Sequence, residues 1–239
     1  MAEAVENVLK SYGVSVITGA GLKEIKEGTA VYTKNGEEDT LDGDAILLAT
    51  GRGPNTEGLY AERAGVELTK RGAVVTDKHL RTTAENIWAA GDVCGNLQFT
   101  YISLDDSRII LSDMQGDGSR TTENRGAFAY SVFMEPSFSR AGLSEKEAAD
   151  KGLNYRVVRM NTDMIPKAKV LRKTTGMLKA VIDKDSGKIF GAALFCPESY
   201  EIINMVKLAM DHDLDYTVLR DFIYTHPTMS EGLNDLFAL

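Results

Sequence analysis

Apolar residues at Ala4, Val5, Val8 and Leu9 recur at helical spacing near the start of the chain and stop at Gly13, which predicts one amphipathic helix. The pattern then changes period. VSVITGA, LKEIKEG, TAVYTKNGEEDTL and DAILLATG are short runs of strand-forming residues parted by Gly and Asn-Gly signals, and they predict a strand-rich piece. Within it, Asn35-Gly36 predicts a tight hairpin turn. DAILLATG is apolar without alternation, as expected of a strand buried on both faces of an α/β sheet. The stretch RGAVVTDKHLRTTAENIWAAGD again predicts strand, loop, strand, and its last strand, IWAAGD, ends on a glycine followed by an acid. YISLDDSRIILSDMQG places Ile102, Leu104, Ile109, Ile110 and Met114 in roughly helical register and closes at Gly116, which predicts a helix.

GDGSRTTENRG, Gly116 to Gly126, is polar, glycine-rich and aperiodic, and marks the expected domain boundary. Beyond it AYSVFMEP predicts a strand, and SEKEAADKG carries a capping box, Ser144 with Glu147, before a stop at Gly152. GMLKAVIDKDSGKIFGAALF predicts a hairpin turning at Asp185-Ser186-Gly187-Lys188, and SYEIINMVKLAMDHDL a helix with Ser199 as its cap. The basic run Pro166 to Lys173, PKAKVLRK, reads as a solvated strand or loop edge. This second part is therefore α+β.

Composition narrows the function classes. A chain of 239 residues, 43% hydrophobic and 26% charged, has room for one large or two ordinary globular domains. A net charge of -8 argues against nucleic acid or an anionic membrane as a general partner. The longest apolar runs, AILLA and IFGAALFC, are strand length and too short to cross a bilayer. The first residues have no basic, greasy, small-residue order, so the expected compartment is the cytoplasm. Cys94 and Cys196 form no C-x-x-C and no metal-ligand cluster, and read as buried small hydrophobes. His79 and His212 read as surface residues.

Three motifs can carry chemistry. In THPTMSEGLNDLF, Pro227 pushes His226 into an extended conformation just before a short helix, so the imidazole can be aimed. A histidine oriented by a carboxylate such as Glu231 is a ready proton shuttle; by spacing alone, Thr228 with Glu231 is equally a capping box beside a packed histidine. In IWAAGD, Gly91 permits close backbone approach and Asp92 offers an acceptor for a sugar or polyol hydroxyl. The helix after it would aim backbone N–H groups at the same place, which suits a ligand that gains negative charge, such as a reduced flavin. A structural turn capped by Asp92 is the alternative. In LLATGRGPNT, Gly51 and Gly53 bracket Arg52 past an apolar run, and Pro54-Asn55 makes a stiff turn that can crowd a bound molecule or simply end a strand.

LLATGRGPNT, then IWAAGDVCG with LQFTYISLDDSRI, then HPTMSE, in that order, resemble the flavin-dependent pyridine nucleotide-disulfide oxidoreductases, the family of glutathione reductase, lipoamide dehydrogenase and mercuric reductase. LQFTYISLDDSRI and THPTMSEGLNDLF are most similar to the branch that reduces reactive chlorine or hypothiocyanous acid, with mercuric reductase as a neighbour. The resemblance covers essentially the whole chain and implies an α/β remnant of FAD- and NAD(P)-binding domains followed by an α+β dimerisation domain. It divides the chain into a partial NAD(P)-binding domain (1–45), a partial FAD-binding domain (46–120) and an interface domain (121–239).

By that resemblance Asp92 bonds a ribityl hydroxyl of FAD, Gly91 allows the approach, and the Phe99–Thr100 backbone faces the flavin pyrimidine edge. Gly51 and Arg52 lie where the nucleotide domain returns to the FAD domain. His226 and Glu231 match the His-Glu pair that serves the redox thiol of the other subunit in a homodimer. No G-x-G-x-x-G and no C-x-x-x-x-C occurs in the chain, so it is expected to be the C-terminal half of a flavoenzyme that takes hydride from NAD(P)H to a small redox substrate. Alone it is expected to hold FAD weakly and to be inactive. The alternative is a noncatalytic dimerisation or scaffold module.

Overall fold

The computed structural model describes all 239 residues. Its contacts form two compact units: one is Gly19–Arg125, and the other joins Met1–Thr18 to Gly126–Leu239. Helix α1 (Ala2–Ser11) opens the discontinuous unit, with Lys10 paired to Glu6 at 2.7 Å one turn away and Val8 as its buried residue. Past its end, Tyr12 donates its hydroxyl to the Glu135 carbonyl at 3.1 Å.

In the unit Gly19–Arg125, β1 (Ala20–Lys26), β2 (Thr29–Lys34) and β3 (Glu37–Asp42) make an antiparallel meander. Asn35 and Gly36 both have positive φ, 54° and 86°, the conformation a two-residue hairpin needs. VSVITGA does not form the expected strand, since β1 begins only at Ala20. DAILLATG is not a strand either: Ile46, Leu47 and Leu48 are 39%, 90% and 64% exposed. A strand buried on both faces needs neighbours on both edges, and both sheets of this chain are antiparallel and leave this segment unpaired. IWAAGD likewise reduces to a single bridge between Trp88 and Arg81, followed by a 3-10 turn, Gly91–Cys94. Helix α2 (Thr100–Gln115) follows, and Leu80, Cys94 and Ile109 form a small core.

The other unit is built on a five-stranded antiparallel sheet of β4 (Ala129–Val132), β5 (Phe138–Gly142), β6 (Tyr155–Asn161), β7 (Met177–Asp183) and β8 (Ile189–Phe195), in the order β4-β5-β8-β7-β6. Between them α3 (Glu145–Asp150) starts on the expected capping box, with Ser144 and Glu147 bonding each other's backbone N–H. The basic run is not a strand: Pro166 sits at the first turn of α4 (Pro166–Leu171), where its missing N–H costs nothing. Helices α5 (Ser199–Asp211), α6 (Thr217–Arg220) and α7 (Gly232–Ala238) complete the unit. Ser199 does not cap α5, because it lies inside the first turn, fully buried, with its hydroxyl 2.8 Å from those of Ser137 and Ser139. The core is continuous, with Leu178, Ile182 and Leu194 from the sheet meeting Ile202, Val206, Leu233, Leu236 and Phe237 from the helices. An apolar cavity of about 490 Å³ lies between α1 and the sheet, lined by Val5, Leu9, Val132, Phe138 and Val181 among others. No helix is long and apolar enough to cross a membrane.

Candidate functional site

The residues singled out by sequence fall into two groups, one in each unit. In the discontinuous unit, the short segment before α7 brings His226 and Glu231 together. The His226–Pro227 bond is cis, and His226 Nδ1 lies 2.8 Å from Glu231 Oε1. The other carboxylate oxygen of Glu231 accepts the Thr228 N–H at 2.8 Å. The capping box is thus half made, because the Thr228 hydroxyl turns away to donate to the Thr225 carbonyl. Glu231 therefore fixes the turn and orients the imidazole at once. The Thr228 N–H and then His226 hold its carboxyl below the ordinary range, which keeps it an acceptor. The His226 side chain is 69% exposed, whereas that of Glu231 is 20% exposed. One ring nitrogen is tied down, and the ring stands in the open, the arrangement of an oriented acid-base group whose client arrives from outside.

In the unit Gly19–Arg125, Arg52 and Asp92 meet, Nη1 to Oδ2 at 3.5 Å, with the Arg52 side chain exposed and that of Asp92 half-exposed. Gly51 has φ +117° and open space where a Cβ would stand. Gly91 has φ +75°, and a Cβ there would come 2.8 Å from Ser103 Oγ, so both the conformation and the approach call for glycine. Phe99 is the extended N-cap of α2 with no side-chain cap bond, and Thr100 is the helix's first residue. A half-exposed carboxylate, a glycine permitting close approach and a helix start with no capping side chain could together receive one edge of a cofactor.

Sequence reasoning missed the acids behind this turn. The buried face of α2 is Ile102, Asp105, Asp106 and Ile109, while Leu104 and Met114, counted on the apolar face, are 59% and 54% exposed. Asp105 and Asp106 are paired with Arg120 and Arg125, a fact that charge alone could not reveal because charged residues on a helix ordinarily face water. His79 also departs from its surface reading. It is half-buried, with Nδ1 at 3.8 Å from the Asp113 carboxylate that Arg81 and the Trp88 indole also hold. Cys94 and Cys196 are both buried, as expected, and burial pushes their thiols up to about 11 and about 12.

Comparison with known proteins places this arrangement in context. The pyridine nucleotide-disulphide oxidoreductase profile matches residues 1–107, and the dimerisation domain of the same family matches residues 128–237. Over its full length the chain is 46% identical to the probable pyridine nucleotide-disulfide oxidoreductase RclA of Escherichia coli, covering 54% of that protein. It is 34% identical to a mercuric reductase of Staphylococcus aureus over 98% of the chain and 43% of that protein. Among solved structures, the HOCl-induced flavoprotein disulfide reductase RclA from Escherichia coli superposes with a TM-score of 0.91 at 45% identity, over 100% of this chain and 55% of that one. The chain spans about half the length of the relatives it matches.

Proposed function

The chain belongs to the pyridine nucleotide-disulphide oxidoreductase family, and from that premise we propose that it supplies the flavin-contacting turn and the acid-base pair of an FAD-dependent reductase acting on a disulfide or related redox substrate. The observation that carries the reading is the exposed imidazole of His226 tied at Nδ1 to Glu231 at 2.8 Å. FAD, when bound, supplies acceptance of hydride from NAD(P)H and its onward transfer. The residues of this chain do the rest. Asp92 accepts a ribityl hydroxyl, Gly91 lets the backbone approach, Phe99–Thr100 presents the start of α2 to the flavin edge, and Gly51 with Arg52 closes the turn opposite Asp92. His226 holds or gives a proton at the nitrogen not bonded to Glu231, toward a thiol on a second copy joined through 121–239. Residues 1–45 and 46–120 are read as parts of the NAD(P)- and FAD-binding domains, and the cytoplasm as the compartment. The isolated chain is read as inactive, since its flavin contacts are confined to one edge.

The test begins with the DNA in frame before the codon of Met1. A frame encoding G-x-G-x-x-G and C-x-x-x-x-C gives the product in which His226→Ala is made. Loss of one partner in general acid-base catalysis costs on the order of 100-fold or more in turnover. Turnover unchanged by His226→Ala would overturn the acid-base reading. NAD(P)H oxidation by the isolated chain would overturn its inactivity. A frame closed directly upstream favours the dimerisation module instead.

A further inference from the structure

The seam of α2 that faces inward carries Ile102, Asp105, Asp106 and Ile109, spaced i, i+3, i+4, i+7, so half of an otherwise apolar stripe is carboxylate. Ionised acids are buried at a cost that only pairing and hydrogen bonding offset. Pairing is supplied for both acids, and hydrogen bonding for three of their four oxygens. Arg120 donates to Asp105 Oδ1 from Nε at 3.1 Å and also from Nη2. Arg125 Nε lies 3.1 Å from Asp105 Oδ2 as an ion pair, out of line for a hydrogen bond, and its Nη2 donates to Asp106 Oδ1. Two anions and two cations leave the cluster neutral. Of the two carboxylate oxygens that no arginine hydrogen-bonds, Asp105 Oδ2 has only the ion pair, while Asp106 Oδ2 takes the Gly91 N–H at 2.6 Å.

That last bond reaches outside the cluster, to the turn that presents Asp92. Gly91 N–H leads a 3-10 turn whose own N-cap, Ala90, offers no side-chain acceptor, and a Cβ at Gly91 would come 2.8 Å from Ser103 Oγ in the first turn of α2. Leucine at 106 would fill the seam and leave this donor without an acceptor. We propose that Asp106 is the positioning residue of the Gly91–Asp92 turn, locked in place by Arg125, so that α2 sets where the Asp92 carboxylate stands. Its hold on Gly91 is independent of any ligand; its value for binding rests on the reading of Asp92 as a flavin contact.

Amide hydrogen exchange on the full chain tests it. Asp106→Leu combined with Arg125→Met removes the acceptor together with its cation, a replacement that commonly keeps the fold. The Gly91 amide is expected to exchange at least about tenfold faster in that variant relative to Ile109 within α2. Asp106→Asn, whose side-chain oxygen still accepts, is expected to keep Gly91 within about threefold of the parent chain. Gly91 exchange unchanged in the double variant, or rising in step with Ile109 in both, would overturn the proposal. FAD titrated against the parent, Asp92→Ala and the double variant, each in the longer product whose upstream frame encodes G-x-G-x-x-G, is a separate arm. Weaker binding in both variants ties the turn to the flavin. Equal binding in all three sinks the flavin reading of Asp92 and leaves the hold of Asp106 on Gly91 standing.

Discussion

Replacing Phe237 by alanine tests how the segment that carries His226 and Glu231 is supported. Phe237 is 1% exposed on α7, the helix that begins directly after Glu231, and its ring packs 6.1 Å from that of Tyr216. Truncating a buried phenylalanine costs about 3–5 kcal/mol, from lost transfer energy plus the cavity left behind. In a folding unit of roughly 130 residues each kcal/mol moves the melting temperature by about 4 °C, so a fall of roughly 12–20 °C is expected. Thermal melts followed by far-UV circular dichroism measure it. His226→Ala is the control, because its largely exposed side chain leaves the melting temperature within about 2 °C. A fall below about 5 °C for Phe237→Ala, or an equal fall for both variants, refutes the assignment of Phe237 to the core and of His226 to the surface.

Two further outcomes follow from ionisation. The Ser144 backbone N–H, the Ser144 hydroxyl and Arg140 pull the Glu147 carboxyl down to about 2 from an ordinary 4.5, so its contribution is present above pH 4.5 and lost as pH falls toward 2. The stability difference between the parent chain and Glu147→Gln is expected to shrink across that window, by a modest amount because the carboxylate is half-exposed; a constant difference would show that the capping box does not hold in solution. Cys94 and Cys196, with thiols raised to about 11 and about 12 by burial, are expected to resist maleimide labelling of the native chain near pH 8 and to react once it is denatured. Rapid labelling of either native thiol counts against its burial.

Features set by neighbours in sequence were legible before the fold was known. The Asn35-Gly36 turn, the Ser144–Glu147 box and the pairing of His226 with Glu231 each depend on a handful of consecutive residues, whose spacing places the partners within reach. Features set by distant partners were not. Ile46 to Leu48 has the composition of a central strand, yet a strand exists only through ladder bonds to others. Asp105 and Asp106 look solvent-facing until Arg120 and Arg125 arrive from beyond the end of the helix. Ser199 reads as a cap by its position before an apolar repeat, but Ser137 and Ser139 claim its hydroxyl from the neighbouring strand region.

The division of one unit between Met1–Thr18 and Gly126–Leu239 has a consequence for synthesis on the ribosome. Helix α1 leaves the exit tunnel long before the sheet whose face it meets. At about 5–20 residues per second, the 126 residues between α1 and β5 take roughly 6–25 s to make. Throughout that interval the apolar side of α1, with Val5, Val8 and Leu9, lacks the sheet face it meets in this unit. A nascent chain stalled before β5 would therefore hold this helix without its sheet, so the two parts of the unit can close on each other only after the intervening residues have been made.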